Sequence, residues 1–495
     1  MCAFERSEKG MEFNMSIPND QTWKMKDFNS EIIWKDSQNN VSFEECKVSK
    51  FIPFKHGAAV FGGEFGDEGK GKKVDALAEK YKKSGLKILS IRGQGSGNAG
   101  HTVVVDNKKY DFHYLTSAGL SADIMLLGAG MLIDPIRVLN EMEKLPLKKR
   151  EIVMVAERAT IVTNLERIFD GWCEAQHKDM KSKVGTTGSG VGPGAGIRGF
   201  RFNVTFADAL KCKSADELRE KFLSNPILPV EVKEATKPEE TNVMLTKKVF
   251  SKEYVEEIWK AIHKLNIVDS VEIIQRCREE GGWAVLLEVS QAVGLDPLFG
   301  NGGHFVTSTP CTDVGGIVGS GLTIYDFPDG TTMMCKAYTS KVGGGPFIVK
   351  FNDDEKNIDK FIDDMVCERG VTTGRKRDLG WFDGPLVRHT IELTGANVSV
   401  NCMDVIAELP AVTDTVKVCF AYKNKITGNV TYRWPYNLND YKPLYLSMSI
   451  KGMSKNDIIK NYILLIEKVI GQKILEYGVG PRREDYRLRD EAFKH

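Results

Sequence analysis

Ala58-Ala59-Val60-Phe61 is a short apolar run that ends directly in Gly62-Gly63. A strand covered on both faces has no polar face to alternate with, so it reads as a continuous apolar run. A glycine-rich turn follows, and Val74-Asp75-Ala76-Leu77-Ala78-Glu79-Lys80 has helical spacing. Ile88-Leu89-Ser90-Ile91 is a second buried strand, again running into glycines. Strand, glycine-rich loop, helix and strand in this order predict an α/β fold: a large, mostly parallel central sheet flanked by helices, a P-loop-like phosphate site, and elaborated loops. More apolar strands are expected at Ile124–Leu127, Ile152–Val155, Trp283–Leu287 and Val398–Val400, and helices at Pro135–Lys144, Asp216–Leu223 and Lys455–Ile470.

Residues 1–56 are polar with isolated aromatics and are expected to form an N-terminal extension, with one weak strand or hairpin near Glu31–Trp34. Residues 57–495 carry no clear linker and are expected to form one catalytic domain, in which the Lys/Glu/Thr-rich stretch 230–250 is a surface segment. A formal net charge of +1 gives no bulk attraction to nucleic acid or an anionic membrane. No stretch approaches the roughly 18 to 20 apolar residues of a membrane span. The N-terminus mixes both charges and has no apolar signal core. Ten cysteines without a CxxC pair argue against a structural zinc site and for a reducing compartment, the cytoplasm.

Four motifs carry chemistry. The first is Gly62-Gly63-Glu64-Phe65-Gly66-Asp67-Glu68-Gly69-Lys70-Gly71-Lys72-Lys73. Glycines let backbone N–H groups converge, and the following helix offers its positive end to phosphate. Gly66-x4-Gly71-Lys72 has the spacing of a Walker A loop, but Lys73 stands where that loop needs a magnesium-binding hydroxyl. Acidic Asp67 and Glu68 inside a phosphate loop point to a metal ion or a proton to be moved. The second motif, Arg92-Gly93-Gln94-Gly95-Ser96-Gly97-Asn98-Ala99-Gly100-His101-Thr102, follows the next strand. It places a histidine at the carboxyl edge of the sheet, where ligands bind, and histidine is the usual general acid near neutral pH. The third, Val184-Gly185-Thr186-Thr187-Gly188-Ser189-Gly190, offers hydroxyls and close backbone approach. The fourth, Arg369-Gly370-Val371-Thr372-Thr373-Gly374-Arg375-Lys376-Arg377, alternates cations with small donors, as carboxylate or phosphate recognition requires. Taken singly, each also reads as an ordinary loop with solvated charges.

Together these motifs resemble, in order, four signatures of the adenylosuccinate synthetase family. Further segments resemble it too: Phe112-His113-Tyr114-Leu115, Glu288-x-x-Gln291, Val306-Thr307-Ser308, Lys336–Gly343, Gly380-Trp381-Phe382-Asp383, Met403-Asp404-Val405 and Gly478-Val479-Gly480-Pro481. The resemblance runs over residues 57 to about 485. It implies GTP-dependent ligation of L-aspartate to IMP through a 6-phosphoryl-IMP intermediate, giving adenylosuccinate, GDP and phosphate. It also implies Mg2+, a homodimer, and no nucleic-acid or membrane partner.

By this resemblance Asp67 is the base and a magnesium ligand, with the Gly100 carbonyl as a second ligand. His101 is the acid, and Gln291 holds the purine. GTP contacts fall to Gly66, Glu68, Gly69, Lys70, Gly71, Lys72, Gly100, His101 and Thr102, with Asp404, Gly480 and Pro481 around guanine. IMP contacts fall to Asp67, Asn98, Thr187, Arg198, Gln291, Leu295, Thr307, Val342 and Arg375. Aspartate contacts fall to Thr372, Thr373, Gly374, Arg375 and Arg377.

The chain departs from the family pattern in five places. Glu64-Phe65 replaces Gln-Trp. Ser189 replaces a basic residue. Arg198, with Arg201 beyond it, stands where the family has a double Arg, one of which reaches the partner's nucleotide. Cys402 replaces the Lys that stacks on guanine, and one residue is inserted around Asn301–His304. Two other functions compete: a synthetase acting on a guanylate-type nucleotide, and a non-catalytic GTP-binding regulator. Retention of Asp67 speaks against both, and His101 against the regulator. A conventional P-loop GTPase would need the missing hydroxyl after Lys72 and an Asn-Lys-x-Asp, where the chain has Asn401-Cys402-Met403-Asp404.

Overall fold

The computed structural model describes residues 51–105, 108–176, 184–224, 249–302, 304–370 and 374–493. The strand or hairpin expected near Glu31–Trp34 and nearly all of the 230–250 segment lie outside them.

A ten-stranded sheet organises the fold. Its order is Tyr486–Leu488, Ile474–Gly478, Asn397–Asn401, Thr331–Lys336, His56–Gly62, Trp283–Glu288, Lys87–Arg92, Ile124–Leu127, Val153–Ala156 and Asn266–Val268. Every neighbouring pair is parallel except the edge strand Tyr486–Leu488, which runs antiparallel to Ile474–Gly478. The apolar run Ala58–Phe61 lies in a central strand, in register with Trp283–Glu288 on one side (Val60 opposite Glu288) and with Thr331–Lys336 on the other (Gly62 opposite Met334).

Side chains alternate across this sheet, so the continuous apolar runs feed two cores. Ala59, Phe61, Leu89, Ile91, Val285 and Leu287 face one side, with Tyr462, Ile463 and Ile466 of the helix Lys455–Ile470. Ala58, Val60, Ile88, Ala284 and Leu286 face the other, with Val74, Ala78 and Tyr81 of the helix Lys70–Lys83. Two covered faces explain the lack of polar alternation. The expected elements recur with small shifts. The first helix begins at Lys70, four residues before the apolar pattern shows it, because its first turn belongs to the phosphate loop. The strand expected at Ile152–Val155 runs Val153–Ala156, and the helix Pro135–Met142 stops before Lys144. Parallel strands bring the ends after Gly62, Arg92, Glu288, Lys336, Asn401 and Gly478 to one edge.

Candidate active site

That edge carries a cavity of about 650 Å³. Residues of the segments 65–71, 98–102 and 291–308, which follow strands of the sheet, line it together with residues of 170–174, 184–192, 341–344 and 370–377, at the carboxyl edge where an open α/β sheet binds ligands.

The phosphate loop forms one side. Gly69 caps the helix Lys70–Lys83 with φ 85°, and no side chain caps that end, so its first N–H groups remain for an anion. A Cβ at Gly69 would lie 2.4 Å from Asn401 Nδ2, whose amide donates to the Glu68 carbonyl at 2.6 Å. Glu68 is buried. Its carboxylate accepts from Gly66 N at 2.6 Å and from Lys70 Nζ at 2.9 Å. Its side chain therefore braces the loop and does not line the cavity. Lys72 does not line the cavity either. It leaves the cavity and donates to the Gly480 carbonyl at 2.6 Å, with its ammonium 4.0 Å from the Tyr486 ring centre. It thereby ties the first helix to the C-terminal loop that holds Pro481. Asp404 opens the helix Met403–Glu408 near this lysine, and burial pushes its carboxyl up against the opposing pull of Lys72.

Asp67 stands apart from the buried acids around it. Its side chain is 40% exposed, lines the cavity, and sits on left-handed backbone at φ 63°. Arg377 Nη1 lies 3.0 Å from its Oδ2, and Lys336 Nζ 3.6 Å. Glu368 anchors both cations, at 2.7 Å from Lys336 and 3.4 Å from Arg377. Burial raises the Asp67 carboxyl, but Lys336, Arg377 and Lys70 outweigh it and hold it below the ordinary range.

His101 begins the strand His101–Val105. Its Nδ1 meets Glu288 Oε1 at 2.7 Å, while Nε2 is buried and lacks a hydrogen-bond partner among the described residues. Glu288 also accepts from Ser117 N and Oγ, both at 2.7 Å. Burial favours the neutral imidazole and outweighs the pull of Glu288. Burial alone would raise the Glu288 carboxyl, but His101 and Ser117 bring it down to about 2. An ionised Glu288 accepting from Nδ1 leaves Nε2 as the atom that faces the cavity.

Gln291, on left-handed backbone at φ 59°, lines the cavity with both amide atoms buried and unpartnered among the described residues. A buried amide without partners is costly unless a ligand supplies them. Gly66, Gly69, Lys70, Gly71, Asn98, Gly100, Thr102, Thr187, Leu295, Thr307, Val342, Arg375 and Arg377 line the same cavity. Arg375 Nη2 donates to the Gly185 carbonyl at 2.7 Å, joining the third and fourth motifs. A Cβ at Gly185 (φ 73°) would lie 2.7 Å from Arg375 Nη1, so the junction requires glycine.

Of the other expected residues, two lie outside the described residues and the rest do not line this cavity. Thr372 and Thr373 lie outside the described residues. Arg198 faces a second cavity of about 620 Å³, where its Nη1 donates to the Gly130 carbonyl at 2.8 Å. Arg198 lies in the last turn of the helix Val191–Gly199 and does not line the main cavity, although Val191 and Gly192 of that helix do. Gly374 and the Asp404–Gly480–Pro481 group also stand outside the main cavity's lining.

Sequence reasoning gave no role to Glu288, Lys336, Glu368 or Lys341. Glu288 did leave a signal, a lone acid ending the apolar strand Trp283–Glu288. Glu368 left none.

A donor set for magnesium is also present. Among the described residues no cluster of three or more His, Cys, Asp or Glu has metal-holding geometry. Magnesium, however, usually takes one or two carboxylates and completes its shell with phosphate oxygens and water. Asp67, which lines the cavity beside the phosphate loop, supplies one such carboxylate, and Gly100 lines the same cavity.

Comparison with known proteins gives the family of the chain. A family model described as adenylosuccinate synthetase matches residues 59–487. The adenylosuccinate synthetase of Thermoplasma volcanium is 32% identical over 451 residues, covering 86% of this chain and 95% of that protein. That of Ligilactobacillus salivarius is 30% identical over 458 residues, covering 88% and 99%. The structure of fully ligated adenylosuccinate synthetase from Plasmodium falciparum superposes with a TM-score of 0.74 at 26% identity, covering 87% of this chain and 99% of that one. With the family model spanning nearly the whole sheet and its loops, the chain belongs to the adenylosuccinate synthetase family.

Proposed function

We propose that this chain joins L-aspartate to IMP at the expense of GTP, forming adenylosuccinate, GDP and phosphate. The observation that carries the reading is the convergence in one cavity of an ionised, partly exposed Asp67, an unpartnered His101 Nε2 and an unpartnered Gln291 amide.

In the first step Asp67 takes the N1 proton of the purine. Electron density moves to O6, which forms a bond to the γ-phosphorus while the bond to the GDP oxygen breaks. His101, taking a second proton from solvent as the anionic triphosphate enters, donates from Nε2 to the departing phosphate oxygens. Gln291 holds the purine edge through its two free amide atoms. In the second step the neutral aspartate amine forms the C6–N bond and releases a proton to solvent, the C6–O bond breaks, and phosphate leaves. Arg375 and Arg377 hold the aspartate carboxylates, with Thr372, Thr373 and Gly374 of the same loop. Asn98, Thr187 and Thr307 hold the 5′-phosphate, and Leu295 and Val342 wall the nucleoside. Asp404 accepts from guanine beside Gly480 and Pro481. Asp67 and the Gly100 carbonyl would hold magnesium, which supplies charge neutralisation of the triphosphate.

The reading includes a homodimer in the cytoplasm, with residues 57–495 as the catalytic domain. Leu298, Val314 and Val318 are exposed around the second cavity, beside Arg198. An apolar rim of that kind suits a partner surface, and Arg198 would there meet a phosphate held by the second copy. No helix among the described residues is long and apolar enough to cross a membrane.

The test is a spectrophotometric assay with IMP, aspartate, GTP and magnesium, beside ATP-for-GTP and dGMP-for-IMP replacements. Adenylosuccinate formation that needs all four and disappears in Asp67→Ala is expected. Product from dGMP alone would move the substrate to a guanylate-type nucleotide. GTP binding without product would leave a regulator.

A further inference from the structure

Four lysines are buried among the described residues: Lys70, Lys73, Lys336 and Lys341. Three sit on carboxylates, Lys70 on Glu68 at 2.9 Å, Lys73 on Glu476 at 2.5 Å and Lys336 on Glu368 at 2.7 Å. Lys341 does not. Its ammonium donates to two neutral carbonyls, Gly343 at 3.2 Å and Gly344. The Phe65 ring, 5.9 Å away, is at the outer limit of a cation–π contact. The acid opposite Lys341 across the strand pair is Asp378, and its carboxylate is taken by Lys350 at 2.5 Å. A buried cation is costly without an anion, and this one lines the main cavity.

Its position says which anion fits. Lys341 ends the strand Thr339–Lys341, paired antiparallel with Asp378–Gly380. The residue before that second strand is Arg377, and Arg375 precedes it by two. The turn after Lys341 reaches the same place from the other side. Gly344 N donates to the Val184 carbonyl at 3.0 Å, and the next residue, Gly185, receives Arg375.

We propose that Lys341 is a third cation, with Arg375 and Arg377, for the carboxylates of the aspartate co-substrate. The inference rests on the reaction proposed above. A charge–charge contact of this kind is lost when the charge is lost, whereas a lysine that only braces the Gly343–Gly345 turn is replaced by any donor.

Lys341→Gln separates the two, since its amide still donates to carbonyls but carries no charge. The expected result is an aspartate KM at least tenfold higher in Lys341→Gln, a near-normal value in Lys341→Arg, and an unchanged IMP KM in both. An unchanged aspartate KM in Lys341→Gln, or a rise in IMP KM instead, overturns the proposal. The wild-type protein gives a second reading that needs no variant. Carbamylation of Lys341 by cyanate, followed by mass spectrometry in IMP-saturated protein, is expected to slow when aspartate is added. No further protection by aspartate overturns the proposal. If the wild-type protein forms no adenylosuccinate, the reaction itself has failed, and the cyanate measurement still reports whether an amino dicarboxylate sits against Lys341.

Discussion

His101 Nδ1 lies 2.7 Å from Glu288 Oε1, at the end of a strand that pairs with the one leading into the phosphate loop. The carboxylate fixes which ring nitrogen faces the cavity, so its loss frees the tautomer and the ring orientation. Glu288→Gln is expected to lower kcat by about 10²- to 10⁴-fold, the range of general acid–base contributions. Steady-state kinetics should show this with KM for IMP nearly unchanged. A loss below threefold would remove Glu288 from the mechanism.

Lys336 and Glu368 are each 5% exposed and 2.7 Å apart. Removing one partner leaves the other buried and uncompensated. Lys336→Met is expected to destabilise the protein by about 3–5 kcal/mol, measured by denaturant unfolding. An effect under about 1 kcal/mol would mean that water or Arg377 compensates Glu368.

Glu64 is buried, and its carboxylate accepts from Lys336 N at 2.7 Å and Thr339 Oγ1 at 2.8 Å. Burial, then the nearby Glu68, pushes its carboxyl up to about 8 from an ordinary 4.5. A raised carboxyl means that the folded state keeps a proton the unfolded chain has released. Its contribution to stability is therefore full below pH 4.5 and is lost as pH rises toward about 8. Glu64→Gln, which cannot ionise, is expected to gain thermal stability relative to wild type across that window and to level off above it. Parallel Tm-against-pH curves for the two proteins would contradict this.

Asp404, in the first turn of Met403–Glu408 with Lys72 close by, is the carboxylate that the proposed function gives to guanine. Asp404→Asn leaves guanine donors without an ionised acceptor, a loss of about 1–3 kcal/mol for a buried hydrogen bond. GTP KM is expected to rise roughly 10- to 100-fold, with aspartate KM unchanged. Equal kinetics with GTP would place guanine recognition elsewhere.

The sequence by itself determined the sheet, the phosphate loop and the order of the motifs. Doubly buried strands must be continuously apolar, and glycine spacing must suit an anion; both are local requirements written in neighbouring residues. Ala58–Phe61 running into Gly62-Gly63 is enough to place the first loop, and Lys455–Ile470 was legible to the residue. Tertiary structure alone decided the partners. Glu288 reaches His101 across 187 positions of chain because Trp283–Glu288 pairs with Lys87–Arg92, the strand whose following loop leads to His101. Lys72 points toward Gly480 and not into the cavity because the C-terminal loop folds back over the first helix. Arg198 turns to another cavity for the same kind of reason. Charge pairing depends on distance and burial, and neither is a property of sequence spacing, so Lys341 looks like any other lysine until its three buried counterparts are seen on their carboxylates.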